Sequence, residues 1–211
     1  MKNYMLIALS FIIGITTLKA QNETINIEKL VISKKDKKVF NASRDSAITV
    51  YIDTLVMKDK SSLQFYGKKN VKLIVKNAFI DDKAVISGVG AKNNASNFDI
   101  DIKFNKLGSF YIIARGQDAV NGMKTNPNGD AGNVTLVYDS NGITPQKENK
   151  KSKNYLHIDT TPGGLHIIPT ADIANIYSRI ASSPSGLRGI PQGQIYSGST
   201  GKEGKISISS K

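Results

Sequence analysis

The carboxylates of Asp99 and Asp101 are spaced so that they could act together in catalysis. Asp99 and Asp101 alternate with the apolar residues Phe98, Ile100 and Ile102, a pattern that predicts a β-strand with both acids on its solvent face. Side chains two residues apart on a strand lie about 7 Å from each other, a separation that inverting glycosidases use. If the protein is an enzyme, these two residues are the candidates, and a carbohydrate is the expected substrate.

The chain contains the histidines His157 and His166 and no cysteine. Both histidines lie in strand-like segments flanking residues 162–164, and a turn there would bring them near each other and near Asp159. Two imidazoles and one carboxylate are an incomplete ligand set for zinc. We therefore expect a structural or surface role for these residues and no cofactor. Without cysteine, thiol catalysis and disulfide bonds are excluded.

Basic residues dominate the charge, with 29 lysines and arginines against 17 acids and a net charge of +12. Much of the excess lies in two runs, at residues 34–38 and 147–153. Such a balance favours anionic partners, and no motif predicts sequence-specific binding of nucleic acid. We expect an anionic surface polymer or an envelope protein as the partner, and the oligomeric state stays open. The candidate binding residues are Lys147, Lys150, Lys151 and Lys153.

Residues 1–20 predict a cleavable secretory signal peptide. Lys2 precedes an apolar run at residues 5–15, which is too short to span a bilayer because a spanning helix needs about 20 apolar residues. Ala20 is a small residue suited to cleavage. We expect an exported protein without a membrane span in its mature form, located in the periplasm, on the cell surface or in the medium.

Alternating apolar and polar residues predict an all-β fold for residues 21–115, for example at residues 48–52, 71–75 and 98–104. Two architectures fit short strands at irregular spacing: a β-solenoid with rungs stacked in parallel, and a β-sandwich of antiparallel hairpins. Two-residue hairpin turns such as Asn-Gly are scarce between these segments. The scarcity favours the solenoid, and the sandwich is the alternative.

Residues 116–211 are rich in glycine and are expected to pack on the first part. Residues 129–137 align with residues 201–209, each as Gly-x-x-Gly followed by a strand-like segment, which indicates a duplicated unit. Glycine also recurs at every third position at residues 198–204, the period of a polyproline-type helix that a neighbouring segment can approach closely. Close packing of extended segments and flexible loops are both open. One short helix is predicted at residues 171–182.

Two resemblances accompany these patterns. The Gly-x-x-Gly segments at residues 116–138 and 193–209 resemble repeats in small exported Gly-rich β proteins of Gram-negative bacteria, a likeness that implies no functional residues. Three triplets, which begin at Asp45, Asp53 and Asp159, resemble the acceptors of periplasmic protein O-glycosylation. Both resemblances imply a periplasmic or surface location.

The sequence as a whole predicts a non-catalytic, exported structural or partner-binding module of the cell envelope or surface. One alternative is a carbohydrate-active enzyme or carbohydrate-binding module that uses Asp99 and Asp101. Another is an accessory subunit of an outer-membrane assembly.

Overall fold

The computed structural model describes residues 22–119, 127–165 and 200–211. These residues form nine strands and no helix. The strands are β1 (Asn22–Ile32), β2 (Lys37–Met57), β3 (Ser62–Ile80), β4 (Ala84–Val89), β5 (Asn97–Leu107), β6 (Ser109–Ile113), β7 (Val134–Tyr138), β8 (Tyr155–Asp159) and β9 (Ile206–Ser210). The predicted signal peptide and the predicted helix at residues 171–182 lie outside the described residues.

Every pairing between these strands is parallel, and the arrangement is a β-solenoid. The solenoid favoured by the sequence is thus confirmed. The sandwich is wrong because its hairpins would pair neighbouring strands in antiparallel fashion.

The long strands bend around the core, as the burial pattern of β3 shows. Burial alternates through Leu63 and Phe65, changes phase at Lys68, resumes at Val71 and changes phase again before Ala78. Side chains of a straight strand alternate strictly between its two sides, so each change of phase marks a corner.

The corners divide the solenoid into three faces of stacked segments. The first face comprises residues 37–41, 62–66, 85–89, 110–113 and 155–159. The second face comprises residues 22–27, 47–52, 70–75, 97–102, 134–138 and 206–210. The third face comprises residues 29–32, 54–57, 77–80 and 104–107.

Aligned apolar side chains fill the interior rung by rung. The rings of Phe40 and Phe65 stack at 5.3 Å between centroids, and Phe65 meets Phe98 edge to face at 6.0 Å. Complete burial of one such aliphatic or aromatic side chain stabilises the fold by about 1.5–3 kcal/mol. Because the chain has no disulfide, this burial and the parallel backbone ladder hold the faces in register.

Extended segments without regular secondary structure connect the first face to the second, and we call this region the glycine corner. It comprises residues 93–96, 114–117, 129–132, 160–163 and 201–204. The N–H of Gly129 donates to the carbonyl of Gln117 at 2.8 Å, and that of Gly132 donates to Ala114 at 2.9 Å. These bonds recur every third residue, the periodicity of polyproline-type packing.

The predicted duplication lies in this region. Val134 pairs with Ile206, and Leu136 pairs with Ile208, so β7 and β9 stack with the same alignment that the sequence indicates. A Cβ on Gly201 would overlap the carbonyl of Gly129. The two copies are therefore successive rungs of the solenoid in direct backbone contact.

Candidate functional site: lysines on stacked turns

The third face is joined to the first by turns at residues 34–35, 59–60 and 82–83. The turns stack directly, since the N–H of Lys35 donates to the carbonyl of Asp59 at 2.9 Å. In the next rung, the N–H of Lys60 donates to the carbonyl of Asp82 at 2.8 Å. Parallel register on both sides places Lys35, Lys60 and Lys83 at equivalent positions.

All three lysines have left-handed backbone conformations, with φ of 63°, 58° and 59° for Lys35, Lys60 and Lys83. This conformation favours glycine, asparagine and aspartate, and an ordinary side chain there costs about 1 kcal/mol relative to glycine. Lysine nevertheless occupies the position in three successive turns. A residue held in a disfavoured conformation points to a requirement outside the turn itself.

Other charges at this corner are paired between rungs. The Nζ of Lys34 lies 3.7 Å from a carboxylate oxygen of Asp59, and that of Lys58 lies 3.6 Å from Asp81. Lys106 contacts Asp81 at 2.6 Å. This hydrogen bond holds the pKa of Asp81 below its ordinary value against the opposing effect of burial, and it raises the pKa of Lys106.

The aligned lysines differ from these pairs. Among the described residues, no carboxylate forms an ion pair with Lys35, Lys60 or Lys83, and all three are exposed. Neighbouring rungs of a parallel stack lie about 4.8 Å apart. Because the three lysines start from adjacent rungs, one extended anion lying across the row could contact all three ammonium groups.

The loop between β7 and β8 continues the same corner. The N–H of Asn154 donates to the carbonyl of Leu107 at 3.1 Å, which attaches the end of the loop to the rung before it. The side chain of Gln146 organises the loop, donating to the carbonyl of Asn149 at 2.8 Å and accepting from its N–H at 2.9 Å. The loop therefore presents its basic residues from a defined backbone.

The loop contains the four binding residues predicted from the sequence: Lys147, Lys150, Lys151 and Lys153. All four are exposed, and none forms an ion pair with another described residue. One of them, Lys153, lines a cleft of about 480 Å³ together with Asp59, Asp81 and Asp82. The two basic runs, distant in sequence, thus share one corner. We call the unpaired set the lysine edge: Lys35, Lys60, Lys83, Lys147, Lys150, Lys151 and Lys153.

Sequence reasoning missed Lys60 and Lys83 because neither belongs to a long basic run. A short signal was available, an apolar residue followed three positions later by lysine, at residues 32–35, 57–60 and 80–83. Only the parallel register shows that these tetrapeptides lie on top of one another.

Asp99 and Asp101 lie on the outside of the second face, each beside a lysine. A carboxylate oxygen of Asp99 is 3.8 Å from the Nζ of Lys72, and Asp101 contacts Lys211 at 2.6 Å. Asp99 also borders a groove of about 470 Å³. Asp101 is therefore in direct contact with its lysine, whereas Asp99 lies beyond hydrogen-bonding distance from its lysine.

The proposed metal candidates are not gathered into one site within the described residues. His157 is exposed on the first face, where its ring lies 5.9 Å from that of Tyr111. Asp159 is buried and contacts Arg115 at 2.6 Å. His166 lies outside the described residues, and no group of three potential ligands occurs among those described.

The carboxylate of Asp159 acts within the fold. Its burial works against ionisation, but the hydroxyl and the N–H of Thr161 donate to it at 2.7 and 3.0 Å, and Arg115 adds a charge-assisted contact. These interactions outweigh burial and hold the pKa of Asp159 below its ordinary value. The ionised carboxylate therefore fixes the start of the glycine corner.

The hydroxyls of the three acceptor-like triplets differ in accessibility. Ser46 and Thr160 are buried, and the Thr160 hydroxyl donates to the carbonyl of Gly204 at 3.1 Å. Thr54 is partly exposed on the third face. Among these triplets, Thr54 therefore offers the reachable hydroxyl.

Comparison with protein-family models, with characterised proteins and with solved structures gives no match. Within the described ranges there is no helix of the length and apolarity needed to cross a membrane.

Proposed function

We propose that this protein is an exported, non-catalytic β-solenoid that binds a linear anionic polymer along its lysine edge. The observation that carries this proposal is the row of Lys35, Lys60 and Lys83, each left-handed, exposed and without an ion-pair partner among the described residues. The predicted signal peptide supports an extracytoplasmic setting for such a ligand.

The row runs along the solenoid axis, across the strands. A polymer lying parallel to that axis would meet one ammonium group in each rung, at intervals of about 4.8 Å. At 4 Å, one such contact contributes about 1 kcal/mol in water. Several weak contacts on one chain combine because each bound unit holds its neighbours close to the surface.

Lysine suits a polymer better than a single compact ligand. Its ammonium group is a point charge on a flexible stem, whereas arginine favours planar, bidentate recognition. The lysine edge is made of lysine throughout, so it can follow anionic groups of varying spacing. The positive charge would also suit an acidic envelope protein. The acidic groups on such a protein, however, need not be spaced at the interval of the rungs.

The test replaces the three left-handed lysines together and measures binding to heparin, a linear sulfated polysaccharide, by titration calorimetry. The triple variant is Lys35→Asn, Lys60→Asn and Lys83→Asn, chosen because asparagine accepts left-handed backbone. We expect affinity to fall on the order of 100-fold, since three contacts of about 1 kcal/mol are lost.

A matched control removes the same charge in and beside the glycine corner through Lys69→Gln, Lys202→Gln and Lys205→Gln. These lysines are exposed, and we expect a change of less than about threefold at physiological salt, where charges farther away than about 8 Å are screened. Equal losses in the two variants, or no binding of heparin by the unaltered protein, would show that the lysine edge is not a binding site.

A further inference from the structure

We infer that the outer surface of the second face holds a separate site for a short uncharged oligosaccharide, which would extend from the groove at Asp99 to the exposed ring of Tyr51. The site lies on a different face from the stacked turns and does not depend on the lysine edge.

A row of polar side chains crosses the strands at this site. Thr49, Lys72, Asp99 and Thr135 are successive register partners on β2, β3, β5 and β7, and all four line the groove of about 470 Å³. Register partners on adjacent strands lie about 4.8 Å apart. Hydroxyl, ammonium and carboxylate groups in one row supply both donors and acceptors, which matches the adjacent hydroxyls of a sugar.

The pair of Lys72 and Asp99 is open. Its Nζ–O distance is 3.8 Å and its two side chains are 53% and 56% exposed, whereas a direct hydrogen bond requires about 2.7–3.2 Å. One sugar hydroxyl between the two groups could donate to Asp99 and accept from Lys72. By contrast, Asp53 and Lys76 form a closed pair at 2.7 Å.

Tyr51 supplies an apolar surface beside the polar row. It follows Thr49 by two residues on β2, so both side chains project from the same face, and Tyr51 is 41% exposed. An aromatic ring packs against the C–H groups of a sugar while polar neighbours bind its hydroxyls. Sites for small ligands commonly combine an apolar surface with a few polar groups that orient the ligand. The exposed ring of Tyr51 and the polar row provide these two parts.

An amide ladder forms a rigid border to the groove. The Nδ2 of Asn97 donates to the Oδ1 of Asn70 at 2.9 Å, and the N–H of Asn133 donates to the Oδ1 of Asn97 at 2.9 Å. Side chains fixed before binding lose little conformational entropy when a ligand arrives.

The local charge distinguishes this site from the lysine edge. Lys72 is balanced by Asp99, and Asp101 is balanced by Lys211. The groove therefore gives no net attraction to an anion, and the carboxylate of Asp99 repels one. An uncharged saccharide is the ligand class that fits.

The test is an array of uncharged gluco-, manno- and galacto-oligosaccharides in about 0.5 M NaCl, where the screening length is roughly 4 Å. We expect the unaltered protein to bind at least one of them. Asp99→Asn and Tyr51→Ala should each weaken that binding about tenfold, because a stacked ring or a charged hydrogen bond contributes roughly 1.4 kcal/mol. Matched controls are Asp53→Asn, from a closed pair, and Tyr66→Ala, an exposed tyrosine on the first face.

The controls should bind as the unaltered protein does, and so should the triple asparagine variant of the lysine edge. Failure to bind any uncharged oligosaccharide, or equal losses in variants and controls, would overturn this inference. Binding confined to acidic oligosaccharides would also overturn it while leaving the lysine edge intact. Loss of heparin binding alone in the triple variant would support two separate sites.

Discussion

The glycine corner and the lysine edge differ in the physical reason for the residue types that they contain. At the glycine corner, a Cβ on Gly129 would overlap the carbonyl of Asn93, and one on Gly132 would overlap that of Ser96. Packing alone therefore requires glycine. At the lysine edge, Lys60 is exposed and adopts a conformation that disfavours it. The residue type at the glycine corner is thus imposed by packing, whereas the stacked left-handed lysines are the feature on which the proposed polymer binding rests.

The largest expected effect comes from breaking the glycine corner with Gly129→Ala. The new methyl group has no room because the obstructing atoms belong to backbone, which cannot rotate away. We expect the free energy of unfolding to fall by at least about 3 kcal/mol, measured by urea denaturation.

Gly90→Ala is the matched control in the same region. A Cβ there would meet its nearest atom, the carbonyl oxygen of Asn94, at 3.5 Å, an ordinary contact. We expect a change within about 0.5–1 kcal/mol, the usual cost or gain of such a replacement. A small effect for Gly129→Ala as well would mean that the extended segments are not packed as described.

A smaller effect follows from Asp159→Asn, and it depends on pH. The pKa of Asp159 is lowered in the folded protein, so its contribution is present above the unfolded pKa of about 3.9 and is lost as pH falls through the folded value. We expect the variant to be about 1–2 kcal/mol less stable at pH 7. That difference should shrink toward pH 2.

Urea denaturation at both pH values measures this, with Asp139→Asn as the control. Asp139 also has a lowered pKa because it accepts the N–H of Asn141 at 2.8 Å. It is partly exposed and, unlike Asp159, forms no ion pair with another described residue, so its replacement should matter less. A stability difference for Asp159→Asn that does not vary with pH would contradict the role of its ionised carboxylate.

The smallest expected effect on stability comes from a substitution at the lysine edge. Lys60→Gly should stabilise the protein by about 0.5–1 kcal/mol, because glycine accepts left-handed backbone without strain, and it should weaken heparin binding. Lys34→Gly is the control, since Lys34 occupies the preceding position of an equivalent turn and has no positive φ. Thermal unfolding would measure both. Equal changes in stability for the two variants would show that the left-handed conformation does not disfavour lysine at position 60.

Local patterns were enough to predict the strands and to favour the solenoid over the sandwich. Alternation at residues 71–75 indicates which side chains face inward, and β3 buries Val71, Leu73 and Val75 accordingly. The sequence alignment of the two Gly-x-x-Gly segments also has the same offset as the pairing of β7 with β9, although the sequence did not predict that these strands pair. The alternation repeats from rung to rung because each rung meets the same apolar interior.

The lysine edge could not be predicted in the same way because it depends on pairing between distant rungs. Lys35 and Lys60 lie 25 residues apart in the sequence, and the parallel register of the flanking strands, together with the bond from Lys35 to Asp59, stacks their turns. The environment of Asp159 was missed for the same reason, since Arg115 comes from the preceding rung.

The most direct test of the central claim is lysine acetylation at limiting reagent, with and without heparin, followed by mass spectrometry of each lysine. Heparin should protect the seven residues of the lysine edge and leave Lys69, Lys202 and Lys205, in and beside the glycine corner, as reactive as before. Uniform protection of both corners, or protection of the glycine corner alone, would contradict the claim that the stacked turns form the polymer-binding site.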